Sequence, residues 1–142
     1  MIEYTHYEFL EDIKDTAQWV QRTLDPKPDL IVSIARGGLV PGVYLSHLLE
    51  IENRPIVWQT RDSNKREGIP RECLGKDKLI LIVDDINDTG NTFSGILSNI
   101  DIELWPFIVT TSLWTRHTST FEVDYTNRKV DTDDWIVFPW EV

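Results

Sequence analysis

The chain has 142 residues, with 14 Lys and Arg against 24 Asp and Glu, for a formal net charge of −10. That length suits one domain spanning 1–142 with a genuine core, and the acidic balance argues against nucleic-acid binding, which needs a basic surface. No apolar run approaches membrane-spanning length, the acidic N-terminus does not read as a signal peptide, and a single cysteine, Cys73, leaves no internal disulfide and fits a reducing, cytoplasmic setting.

Thr5-His6-Tyr7-Glu8 spells a capping box, with Thr5 at the N-cap and Glu8 three residues on. Phe9, Ile13, Ala17, Val20 and Leu24 then share one stripe, which predicts an amphipathic helix over 7–24. Pro26 and Pro28 stop it, because proline cannot continue the hydrogen-bond ladder. Residues 30–35 read as a first buried strand, Arg36-Gly37-Gly38 breaks it, and 40–49 reads as a helix with Pro41 in its first turn. A short strand over 55–59 follows. Residues 61–78 hold six of the 14 Lys and Arg, with Gly68, Pro70 and Gly75 and no sustained period, so they read as an exposed loop of above-average length.

Next comes Leu79-Ile80-Leu81-Ile82-Val83, which runs straight into Asp84 and Asp85, then a small polar loop and a helix over 93–99. An uninterrupted apolar run of this kind suits a strand buried on both faces of a parallel sheet. Strands over 107–113 and, more weakly, 121–125 complete the series. The tail from Asp131 onward carries Trp135, Ile136, Pro139 and Trp140, apolar enough to pack back onto the domain. The alternation predicts an α/β fold with a mostly parallel central sheet flanked by helices.

In such folds the carboxyl end of a central strand is the usual place for a ligand. Thr89-Gly90-Asn91-Thr92, at the start of a helix, offers backbone N–H groups and hydroxyls to an anion. Asp84 and Asp85 suit sugar hydroxyls or a metal, so the stretch reads as a phosphosugar site. A strand ending in solvated acids is the bland alternative. Asp84-Asp85-x-x-Asp88 also matches a magnesium-pyrophosphate motif of prenyl-transferring enzymes, but that motif lies within a long helix of an all-α protein. Arg36-Gly37-Gly38 would let the backbone approach an anion closely, or would simply be a tight turn with a surface Arg. His6, His47 and His117 lack metal-ligand spacing, and Cys73 has no His nearby in sequence.

Taken whole, the string from Leu79 to Thr92 resembles the phosphoribosyl-pyrophosphate (PRPP) signature of type I phosphoribosyltransferases. Ala35-Arg36-Gly37-Gly38-Leu39-Val40-Pro41-Gly42 is similar to the pyrophosphate loop of the bacterial xanthine-guanine branch of that family. Asp134-Trp135-Ile136-x-x-Pro139-Trp140 resembles the end of the same branch, and Asn64-Lys65-Arg66-Glu67 its mobile loop. The resemblance implies the type I phosphoribosyltransferase fold, with a small hood formed by the C-terminal segment. It implies transfer of 5-phosphoribosyl from PRPP to guanine, xanthine or hypoxanthine, as in purine salvage, by a Mg²⁺-dependent enzyme, a homo-oligomer (dimer or tetramer) with no nucleic-acid or membrane partner.

The same resemblance assigns roles. Asp84 and Asp85 would take the ribose hydroxyls, and Asp88, Thr89, Gly90, Asn91 and Thr92 the 5′-phosphate. Asp88 would handle the proton at purine N7. Arg36, Gly37 and Arg66 would take pyrophosphate, Trp135 would stack on the base, and Ile136 would meet its 2-substituent through backbone. Asp85 and Glu141 would face magnesium, mostly through ligand and water. Arg116 stands where the family has a lysine that meets the purine 6-oxo group, and Arg is longer and planar. Two other readings stand beside this one: a PRPP-binding regulatory protein with little catalysis, and a phosphoribosyltransferase for a different base.

Overall fold

A computed structural model describes residues 1–59 and 65–141. In chain order the elements are β1 (Ile2–Glu3), α1 (His6–Thr23), β2 (Leu30–Ala35), α2 (Leu39–Leu49), β3 (Asn53–Val57), β4 (Ile80–Asn87), α3 (Asn91–Ser98), β5 (Ile108–Arg116), β6 (Tyr125–Val130) and β7 (Ile136–Val137), with short 3₁₀ turns at Arg71–Cys73 and Ile102–Phe107. Five strands form one sheet in the order β3-β2-β4-β5-β6, and every ladder in it is parallel. The two ends of the chain form a second, two-stranded parallel sheet, β1 with β7.

The apolar run in β4 does what its pattern predicts. Leu81 and Val83 face the cluster built by α1, α2 and the tail, with Phe9, Ile13, Leu45 and Phe138. Ile80 and Ile82 face the opposite cluster with Phe93 and Ile96 of α3. Each full burial of such a side chain contributes about 1.5–3 kcal/mol. The capping box at the start of α1 is formed as spelled: Thr5 Oγ1 accepts from Glu8 N–H at 3.1 Å, and Glu8 Oε1 accepts from Thr5 N–H at 3.0 Å. Among the described residues no helix is long and apolar enough to cross a membrane.

Several boundaries differ from the expectation: the strand read over 55–59 is Asn53–Val57, and three others have a plain physical reason. The strand read over 107–113 runs on to Arg116, because its later residues Trp114 and Arg116 are buried by long-range partners. The helix read from 93 begins at Asn91, since Gly90 at φ 93 makes the turn that starts it. The last strand of the sheet is not 121–125 but Tyr125–Val130. Its polar Asn127 and Arg128 conceal it, and both are satisfied by α1. Asn127 Nδ2 donates to the Asp12 carbonyl at 2.8 Å, and Arg128 Nε donates to Asp12 Oδ2 at 2.6 Å. Tyr4 donates its hydroxyl to the same carboxylate at 2.6 Å, and the Arg128 guanidinium lies over the rings of Tyr4 and Trp114. Burial and the neighbouring Asp12 carboxylate push the Tyr4 hydroxyl well above its usual range.

Removing one member of such a network leaves the others desolvated without partners. Asp12→Ala is therefore expected to cost about 2–4 kcal/mol in a urea titration. A loss within about 0.5 kcal/mol, the size of an ordinary surface change, would mean that the clamp between α1 and β6 adds little.

Candidate functional site

β4 delivers two carboxylates at its carboxyl end. Asp84 is buried and Asp85 nearly so; Asp84 Oδ1 accepts from Asp85 N–H at 2.9 Å, and Asp85 Oδ1 from Ile86 N–H at 2.8 Å. No ion pair among the described residues involves either one. Burial, reinforced for Asp84 by its negative neighbour, pushes both carboxyls above the usual range. Such a pair favours a ligand that brings hydroxyl donors or positive charge. Gly37 lies against this pair from the neighbouring strand end: a Cβ there would overlap Asp85 Oδ2 and Cγ. The Ala35–Arg36 peptide just before it is cis.

The loop from Asp88 to Thr92 is held from behind. Thr120 N–H donates to the Thr89 carbonyl at 2.9 Å and Thr118 Oγ1 to the Asp88 carbonyl at 3.1 Å. Asn87 Nδ2 donates to the Phe121 carbonyl at 2.8 Å, while Ser119 Oγ donates to Asn87 Oδ1 at 2.9 Å. No local sequence pattern marks Asn87, Thr118, Ser119 or Thr120. The only signal was a run of hydroxyl residues after β5. With these bonds in place, the backbone leading into the N-terminus of α3 is held fixed, a placement that suits an anion.

The tail completes the other side. Ile2 N–H donates to the Trp135 carbonyl at 2.7 Å and Tyr4 N–H to the Val137 carbonyl at 2.9 Å. Phe138 and Trp140 anchor it through ring contacts to Tyr4 at 5.8 Å and Phe9 at 5.2 Å. Trp135 itself remains 58% exposed. A cavity of about 390 Å³ then brings together most of the expected residues: Asp84, Asp85, the whole of 88–92, Arg116, Trp135, Ile136 and Glu141.

Arg116, at the last position of β5, is buried. Its Nε donates to Asp88 Oδ1 at 2.8 Å and its Nη1 to the Thr132 and Asp134 carbonyls at 2.7 and 3.1 Å. Arg36 and Arg66 do not line this cavity. Arg36 is exposed, and Arg66 lies over the Trp58 ring at 5.9 Å, in a paired segment where Gln59 N–H meets the Lys65 carbonyl and Glu67 N–H the Val57 carbonyl. Asn64, read as part of the same loop, lies outside the described residues.

For a metal, the donors on offer are carboxylate oxygens, and Glu141 is close enough to Asp85 to reinforce its upward shift. No group of three or more His, Cys, Asp or Glu among the described residues could hold an ion unaided. That donor set fits a hard cation that keeps several waters and takes further ligands from a substrate phosphate, as Mg²⁺ does.

Residues 3–142 match the family model described as the phosphoribosyl transferase domain. The xanthine-guanine phosphoribosyltransferase of Cereibacter sphaeroides is 30% identical over 119 residues, 79% of this chain and 68% of that protein. That of Nitratidesulfovibrio vulgaris is 29% identical over 117 residues, covering 78% and 68%. Among solved structures, the purine phosphoribosyltransferase of Pyrococcus horikoshii superposes with a TM-score of 0.81 at 31% identity, covering 99% of this chain and 94% of that one. The xanthine-guanine-hypoxanthine phosphoribosyltransferase of Helicobacter pylori gives 0.78 at 25% identity, with the same coverage. With a parallel sheet that carries the PRPP signature from its central strand into the cavity, this chain belongs to the phosphoribosyl transferase family, type I, whose members move a phosphoribosyl group from PRPP to a base.

Proposed function

We propose that the base is a 6-oxopurine (guanine, xanthine or hypoxanthine) and that the products are the nucleoside 5′-monophosphate and pyrophosphate. The observation that carries this reading is that the anion cradle and the hood aromatic Trp135 line one cavity, with Arg116 a donor between them. The xanthine-guanine enzyme of Cereibacter sphaeroides and the xanthine-guanine-hypoxanthine enzyme of Helicobacter pylori, both similar to this chain, support the same class of base.

In this reading the backbone and hydroxyls of 88–92 hold the 5′-phosphate, and Asp84 and Asp85 accept from the ribose hydroxyls. Gly37 lets the pyrophosphate loop come against Asp85, and Arg36 and Arg66 supply positive charge to the departing pyrophosphate. Asp85 and Glu141 would help hold Mg²⁺, which would supply charge neutralisation for that leaving group. The reacting ribosyl centre is oxocarbenium-like, so positioning and exclusion of water matter more than covalent help. Asp88, oriented by Arg116, accepts the proton at purine N7 as the glycosidic bond forms. Trp135 stacks on the base and Ile136 meets its 2-substituent.

Incubation with PRPP, Mg²⁺ and a panel of nucleobases tests this by pyrophosphate release. Release with guanine, xanthine or hypoxanthine is the expected result, and silence with every purine would overturn it. Release with a pyrimidine alone would favour a different base, a reading for which the Arg116–Asp88 pairing in the base subsite is the specific motive.

A further inference from the structure

Residues 131–135 are exposed throughout, and they carry Trp135 toward the cavity without regular structure. Among the described residues of the five-stranded sheet, Arg116 is the one whose side chain hydrogen-bonds the backbone of 131–135. Its guanidinium Nη1 bonds the Thr132 and Asp134 carbonyls at 2.7 and 3.1 Å, while Nε bonds Asp88 Oδ1 at 2.8 Å. Thr132 Oγ1 braces the same turn by donating to Asp134 Oδ2 at 2.9 Å. One planar cation therefore spans two parts of the site that are far apart in sequence. The remaining nitrogen, Nη2, makes no hydrogen bond to the described residues.

We propose that Arg116 is a positioning residue that fixes the hood to Asp88 before the base arrives, and so sets the separation of the stacking ring from the proton-accepting carboxylate. This is additional to any contact it makes with the base, and its kinetic consequence rests on the 6-oxopurine reading. The physical case is geometric. A guanidinium presents rigid donors in two directions at once, whereas an ammonium is a single point on a shorter stem. Arg116→Lys keeps the charge, and it loses the span.

The primary test is hydrogen exchange on the free protein. In Arg116→Lys the amides of Ile2 and Tyr4, which donate to the Trp135 and Val137 carbonyls, and those of β7 are expected to exchange about tenfold faster, the size of one lost hydrogen bond. Amides of β4 and β2 should be unchanged. Asp88→Ala, which leaves Arg116 Nε without its acceptor at the other end of the span, is expected to speed the same amides by a smaller factor.

Hood exchange as slow as in the wild type would overturn the proposal and leave Arg116 a base contact only. So would faster exchange throughout the sheet, which marks a general structural role, and so would an Asp88→Ala protein with an unchanged hood. In turnover assays the expected split for Arg116→Lys is a base KM raised about tenfold or more with the PRPP KM within about twofold; both rising together would also overturn it. Because the exchange measurement needs no substrate, it stays decisive if the wild-type protein turns over no purine, the outcome that sinks the 6-oxopurine reading instead.

Discussion

Asp88→Asn is expected to slow turnover by about 10²- to 10⁴-fold, the usual worth of a positioned acid–base group, with the KM for PRPP little changed. Asn can still accept from Arg116 Nε–H through its amide oxygen, so the bond seen at 2.8 Å has a substitute. The backbone cradle is also preserved, because the Asp88 carbonyl that accepts from Thr118 belongs to the main chain. What disappears is the ability to take a proton from the base. Initial rates at saturating PRPP measure this directly. Turnover near the wild-type value would reduce Asp88 to a structural member of the phosphate loop.

Gly37→Ala is the second large effect, and it acts on the other substrate. The new methyl would overlap the Asp85 carboxylate, so either that side chain leaves its backbone partner at Ile86 or the loop after β2 shifts away. Overpacking of this kind costs about 1–3 kcal/mol. Spent on the ribose and pyrophosphate subsites, that amounts to about 10- to 100-fold in the KM for PRPP. Base KM should move little, since Trp135 and Arg116 lie on elements the methyl does not meet. Steady-state kinetics with each substrate varied in turn separates the two. An unchanged PRPP KM would mean that the loop yields without cost and that Gly37 does not shape the subsite.

How much of this could be read from the chain alone depended on the range of the partner. β4 and α3 were legible because their signals are local: a continuous apolar run, then small polar residues, then helical period. The capping box of α1 was legible for the same reason. β6 was not, because Asn127 and Arg128 look like surface residues until Asp12, more than a hundred positions away, comes against them. The cavity gathers Asp84, Asp85, residues 88–92, Trp135 and Ile136, all named by the motifs, since each motif is a short local string. The Arg116–Asp88 bond was invisible: each residue had been given a task toward the ligand, and no local pattern says that two such residues take hold of each other. Arg36 and Arg66 show the opposite case. Their positive charge was easy to assign, yet neither lines the cavity in this structure.

The pairing of β1 with β7 has a consequence for how the molecule matures. Ile2 lies beside Ile136, so this is the contact of longest sequence separation among the strand pairs, while the ladders of the main sheet join nearer neighbours. Closing a longer loop costs more chain entropy and delays the contact. A refolding chain should therefore assemble β2, β4 and β5, with Asp84, Asp85 and the loop after them, before the ends meet. During that interval, on the function proposed above, it would be competent to hold PRPP and not yet able to stack a base. The two halves of one reaction would be acquired in succession, the sugar half first.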